Sequence, residues 1–214
     1  KLAKVISLAA KGNPDPFINS KLRMAIEKSK EFNMPKENIE MAIKKGSGEL
    51  GGEQLEEVVF EAFGPGGVAL IIEGITDNKN RTLGEIKQIL NQNNGKLAGE
   101  GAVQWMFEKK GVIAINNEAK NINKEQLEMD AIEAGADDIV WHETEIDVYT
   151  KTDDLEKVKK GLLDKNYKIE SSSLGLIGKD NVAVDEKTKS ALQRIFEELD
   201  ENDAVQNTYS NLKE

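Results

Sequence analysis

The 214-residue chain has no cysteine. Disulfides, thiolate metal sites, iron–sulfur clusters and a cysteine nucleophile are therefore excluded. Its one histidine, His142, excludes HExxH zincins and any site that needs two imidazoles. The longest purely apolar run, Val68–Ile72, is far too short for a membrane span or a signal-peptide core. The composition suits a reducing, cytoplasmic setting, and hydrophobic residues at 38% are enough to bury a core. The chain begins at Lys1, already in a helical pattern, so a preceding segment is expected.

Bases are the scarcer charge: 29 against 39 acids, for a net −10. Taken as a sum, that disfavours a nucleic-acid partner. The distribution says otherwise. Residues 1–48 hold ten bases and five acids, a balance of +5, and the remainder carries −15. Such asymmetry signals interaction rather than fold.

The basic head reads as three short helices. Leu2, Val5, Ile6 and Ala9 lie on one face of the first, which Gly12 stops. Leu22, Ala25 and Ile26 line the second, while Ile39, Ala42 and Ile43 line the third. The third starts near Pro35, where a missing N–H is harmless, and Gly46 is its expected C-cap. Gly46-Ser47-Gly48 and Gly51-Gly52 read as a linker. The body then predicts β-β-α-β-β. Strands lie at 58–63 and 68–72, a helix follows Thr82 with a capping box to Glu85, and two strands lie at 103–107 and 112–115 around Lys109-Lys110-Gly111. Trp105 and Phe107 alternate on the third strand and are expected in the core. A second unit has a helix 124–134, strands near 139–142 and 145–150, a helix 153–164 and a strand near 167–170. A helix 185–200 and a strand 205–209 close the chain. Two small α/β sandwiches, each a sheet with helices on one face, are the economical architecture.

Few motifs carry chemistry. Gly64-Pro65-Gly66-Gly67 precedes a strand, not a helix, so it reads as a hairpin turn rather than a phosphate loop. Asp200-Glu201-Asn202-Asp203 lacks the glycine a calcium loop requires, having Val205 there. His142 beside Trp141 reads as structural, and no carboxylate spacing singles out an acid–base pair. Asp77-Asn78-Lys79-Asn80-Arg81-Thr82 opens a helix with amide and cationic groups, a geometry suited to an anion. The head lysines suit phosphate contacts. No pattern of interleaved aromatics suggests base stacking on the head, so backbone contact that does not read sequence is the expected mode.

In order and spacing, several stretches resemble the YebC family of probable transcriptional regulators, which includes a mitochondrial translational activator. They are Gly12-Asn13-Pro14-Asp15-Pro16, Asn33-Met34-Pro35, Ile43-Lys44-Lys45-Gly46, Glu61-Ala62-Phe63-Gly64-Pro65-Gly66-Gly67, Thr76-Asp77-Asn78-Lys79-Asn80-Arg81-Thr82, Glu133-Ala134-Gly135-Ala136 and Val205-Gln206-Asn207-Thr208-Tyr209. The resemblance spans essentially the whole chain. It implies an α+β protein: a small N-terminal helical domain (1–52), an α/β domain (53–117 and 181–214), and a ferredoxin-like domain (118–180) inserted into the second. The resemblance also implies a basic segment expected before Lys1, and Ala204 stands where an acidic residue is usual.

The implied function is non-enzymatic: a cytoplasmic nucleic-acid-binding regulator with no cofactor or metal. It would be either a DNA-binding transcriptional regulator or a ribosome-associated translation factor that relieves stalling at proline-rich stretches. A monomer is expected, with a dimer open, and a member from an organelle would work in the mitochondrial matrix. Expected phosphate contacts are Lys1, Lys4, Lys11, Lys21, Arg23, Lys28, Lys30, Lys36, Lys44 and Lys45, with Asn78, Lys79, Asn80 and Arg81 as a second point. Two rivals stand beside this reading. One is an enzyme using Arg81 as an anion clamp in a deep pocket. The other is an adaptor working through Glu197, Glu198, Asp200 and Glu201.

Overall fold

A computed structural model describes residues 1–51 and 54–213. Gly52 and Glu53, where the sequence puts the end of the linker and the first domain boundary, lie outside the described residues. The chain forms two compact units, residues 1–105 with 181–214 and residues 106–180.

The first unit begins with helices α1 (Leu2–Ala10), α2 (Ser20–Glu31) and α3 (Lys36–Ser47). Their core is Ile6, Ala10, Leu22, Ala25, Ile39 and Ala42. Asn19 caps α2, its Oδ1 accepting from the Leu22 N–H at 3.0 Å. The C-cap expected at Gly46 falls instead on Gly48, in the left-handed conformation at φ 85°. Gly46 lies inside α3 for a different reason. A Cβ there would come within 2.0 Å of the Ser7 carbonyl oxygen, so α1 and α3 approach through the missing side chain.

The same unit holds a four-stranded antiparallel sheet of β1 (Glu56–Phe63), β2 (Ala69–Thr76), β3 (Lys96–Leu97) and β8 (Val205–Ser210), in the order β3-β1-β2-β8. Helices α4 (Lys79–Gln92) and α7 (Glu186–Glu201) cover one face. Period-2 alternation aims Val58, Phe60 and Ala62 at them, against Ile86, Leu90, Leu192, Ile195 and Leu199. Gly64–Gly67 makes the β1–β2 hairpin turn. Gly66 sits at φ 75°, and a Cβ on it would strike Val184 at 2.8 Å.

The second unit contains β4 (Phe107–Asn116), α5 (Lys124–Ala134), β5 (Asp138–Trp141), β6 (Glu145–Thr150), α6 (Leu155–Asp164) and β7 (Ile169–Gly178). Its antiparallel sheet runs β5-β6-β4-β7. This βαββαβ order is the ferredoxin-like arrangement. Ile113, Ile115, Ile146 and Val148 pack against Leu127, Ala131, Val158 and Leu162 of the two helices.

Residues 103–116 depart from expectation. They form one strand from Phe107, preceded by a short 3-10 turn at Gln104–Met106, and that strand pairs in the second sheet, not the first. Lys109-Lys110-Gly111 runs through the strand because Gly111 lets it pass close to Thr150 and Leu155, where a Cβ would meet atoms at 2.3–3.0 Å. Phe107 is buried as expected, whereas Trp105 is 64% exposed. Strand β7 extends to Gly178 through Ser171-Ser172-Ser173, a polar run with no strand alternation in the sequence.

Candidate nucleic-acid interface

The ten head bases divide according to what each ammonium or guanidinium touches. Lys1 Nζ pairs with Asp200 Oδ1 at 2.6 Å, and Lys4 Nζ donates to the Asp203 carbonyl at 2.8 Å. Both side chains are spent on the region where α7 ends. Lys1 in turn holds the Asp200 carboxyl below its ordinary range, by hydrogen bonding and then by charge. Arg23 Nη1 reaches back to the carbonyls of Pro16 and Phe17 at 3.4 and 3.5 Å, bracing the turn before α2. Lys36 faces Glu40 at 3.6 Å, an exposed i,i+4 pair of small energetic weight.

Lys11, Lys21, Lys28, Lys30, Lys44 and Lys45 remain. All six are exposed, and none is ion-paired among the described residues. Lys28, Lys30, Lys44 and Lys45 occupy the last turns of α2 and α3, where they also offset the negative helix ends. Lys11 and Lys45 share a groove of about 300 Å³ that Ser7, Gly46 and Ser47 also line.

The loop 76–82 is built as a self-satisfied helix start. Asn78, not Thr82, is the N-cap of α4, its Oδ1 accepting from the Arg81 N–H at 3.0 Å. Thr82 is buried and shares a 2.8 Å hydroxyl hydrogen bond with Thr76, whose oxygen also accepts from the Asn78 N–H. That corrects the capping box expected at Thr82 and Glu85. Arg81 pairs with Asp77 and lies 3.8 Å from Glu85. Its guanidinium is therefore bracketed by two carboxylates, with the side chain 53% exposed. Lys79 and Asn80 are exposed beside it. Glu145, whose carboxyl is pushed up by burial and then by Asp147 and Glu170, belongs to the second unit.

Three features escaped the sequence reading. Phe17 and Phe32 flank α2 and are 90% and 67% exposed, with Met24 between them at 67%. They lie outside the helix interior, so a search for aromatics interleaved along the helices passes over them. Glu61 is the second, a buried carboxylate in β1. Its oxygens accept from the N–H groups of Gly101 and Val103, both at 2.6 Å, and Gln104 at 3.0 Å. Burial pushes its pKa up, but the three backbone bonds outweigh that and the net shift is downward. No local signal marks Glu61, because its donors lie about forty residues away. The third is a tie in the second unit: the Tyr167 hydroxyl donates to Asp130 at 2.7 Å, and burial, then that bond, push Tyr167 up to about 12. His142 contacts Asp147 at 3.2 Å, and Lys124 lies 5.6 Å from the Trp141 ring. Among the described residues no group of three or more His, Asp or Glu could hold a metal ion, and no helix is long and apolar enough to cross a membrane.

The comparisons with known proteins bear on the whole chain. Residues 1–49 match the TACO1/YebC protein N-terminal domain, and residues 55–212 match the TACO1/YebC second and third domain. The chain belongs to the TACO1/YebC family. A relative from Caldanaerobacter subterraneus subsp. tengcongensis, named a "Probable transcriptional regulatory protein", is 44% identical over all of this chain and 88% of its own length. One of the same name from Natranaerobius thermophilus is 45% identical over 99% of this chain and 85% of its own. The crystal structure of a conserved hypothetical protein from Aquifex aeolicus superposes with a TM-score of 0.84. It is 39% identical, and the match covers 99% of this chain and 87% of that one.

Proposed function

We propose that this protein is a non-enzymatic regulator of gene expression that binds a nucleic acid through its helical head. The carrying observation is the set of six exposed lysines, Lys11, Lys21, Lys28, Lys30, Lys44 and Lys45, unpaired among the described residues in the one part of the chain with a positive balance. Lys79 and Asn80 extend the contact from the start of α4. The names of the relatives support a regulatory role. An acidic-face adaptor is less well supported, because Asp200 and Glu198 already serve Lys1 and Asn93 internally. DNA and ribosomal RNA share the chemistry the lysines require. Crosslinking in cells followed by sequencing of the bound strands separates them: promoter enrichment supports transcription, ribosomal enrichment supports translation.

The direct test is a salt titration of binding to a 20-base-pair duplex, read by fluorescence anisotropy. Six phosphate contacts give a log–log slope of about −5. The Lys21→Ala/Lys28→Ala protein should lose about 2 from that slope. Binding indifferent to salt, or a slope the double variant leaves unchanged, overturns the reading.

A further inference from the structure

We propose that the head captures unpaired nucleotides, stacking bases on Phe17 and Phe32 while Lys21 and Lys28 hold the intervening phosphates. This rests on the reading that the head binds nucleic acid, and it names the form of nucleic acid preferred.

Large apolar side chains held in water need a reason when they are as exposed as these. Phe17 is 90% exposed and Phe32 67%, so neither seals the small helical core. At 100° per residue, Lys21, Met24, Lys28 and Phe32 fall within about 80° of one another on α2. Phe32 keeps near-helical geometry, with φ −87° and ψ 17°, and its N–H bonds the Lys28 carbonyl. It therefore continues that stripe past the last turn. Phe17 stands at the other end of α2, in a turn fixed by its own N–H donating to Asp15 Oδ1 at 2.9 Å. Both rings thus project from ordered backbone. The 12 residues of α2 span about 18 Å, or about five nucleotide rises of 3.4 Å.

The order of groups along the stripe favours a nucleic acid over a protein. Apolar and cationic side chains alternate, whereas a protein interface gathers its apolar groups into one core with charge at the rim. A stacked base needs only one ring, and the phosphates on either side need one cation each. Single strands fit better than a duplex, whose bases are already stacked inside and leave an exposed phenylalanine nothing to cover.

The test measures anisotropy of fluorescein-labelled 20-mer single-stranded RNA and of a 20-base-pair duplex with the full 214-residue chain. Phe17→Ala/Phe32→Ala should weaken single-strand binding by about 25-fold, two stacks at about fivefold each, and change duplex binding less than twofold. Phe17→Tyr/Phe32→Tyr keeps both rings and should bind the single strand within twofold of the parent. Equal losses on both probes, or no loss on the single strand, overturn the proposal. So would unchanged single-strand binding with loss of an acidic protein partner, which would assign the phenylalanines to that partner. If the parent chain binds neither probe, the broader nucleic-acid reading fails instead, and the two failures are distinct. Both rings are exposed, so the melting temperature of each variant should match the parent and separate loss of contact from loss of fold.

Discussion

Replacing Glu61 with glutamine should release the segment 98–105 from the first sheet at a calculable cost. In the native protein Glu61 Oε2 accepts from Val103 and Gln104, and Oε1 accepts from Gly101. Glutamine has one acceptor oxygen. If that oxygen takes the place of Oε2, its NH₂ faces the Gly101 N–H and that bond is lost. The two remaining bonds lose their charge. Hydrogen bonds to charged groups contribute about 1.5–3 kcal/mol and neutral ones about 1, so the substitution should cost about 3 kcal/mol. The assay is urea denaturation in a Trp141→Phe background, where Trp105 is the sole tryptophan. It sits beside Gln104 and donates its indole N–H to the Ala102 carbonyl, so it reports on this segment. The pH dependence carries a sign. The folded-state pKa of Glu61 is depressed below its ordinary 4.5, so its contribution is complete above that value and is lost as pH falls through the lower, folded-state pKa. The gap between parent and variant should therefore be full at pH 7 and close in strong acid. A Glu61→Gln protein within about 0.5 kcal/mol of the parent at pH 7, below the loss of about 1.5–3 kcal/mol expected for even one hydrogen bond to a charged group, would refute the reasoning.

Other substitutions separate structural from binding roles. Gly46→Ala pushes a methyl into the Ser7 carbonyl and should destabilise the head by about 1–3 kcal/mol, seen as faster trypsin cleavage within residues 1–51. Asn78→Ala removes the α4 cap and should cost about 1 kcal/mol in thermal melts, whereas Asn78→Asp keeps the acceptor and the stability. The aspartate should nonetheless weaken duplex binding, because it sets a negative charge beside the exposed Lys79 and Asn80. Lys1→Ala and Lys4→Ala should leave the salt slope of binding unchanged, since both ammonium groups are already engaged with Asp200 and the Asp203 carbonyl.

Local chemistry made much of the fold readable. Helix α5 begins after Asn123 and ends at Gly135 as its residues predict, because a side-chain cap and a left-handed glycine act within one turn. The hairpin at Gly64–Gly67 was legible for the same reason. Misreadings arose where distant contacts decide. Gly46 looks like a stop signal, and only the packing of Ser7 shows that it is a point of close approach. Lys109-Lys110-Gly111 looks like a turn, and only pairing with β6 and β7 carries it through as strand. The site divided along the same line. Composition exposed the surplus of lysines in the head, but not which of them Asp200 and Asp203 consume. In the 76–82 loop the polar groups are visible in sequence, while the bonds that engage Asn78 and Arg81 are not.

Charge accounting therefore has to be local. At physiological ionic strength the Debye length is about 8 Å, so a phosphate at the head responds to the groups within that range rather than to the summed charge of −10. Lys1 and Lys4 are drawn into the acidic end of α7, and Arg81 is neutralised between Asp77 and Glu85. What remains outward is a set of lysines on or beside three short helices, two of them on α2 between the exposed phenylalanines that flank it. A polyanion approaching an acidic region meets repulsion at short range, while the head offers attraction at the same range. The acidic surplus then does not oppose binding. On the proposed reading it confines contact to the helical head.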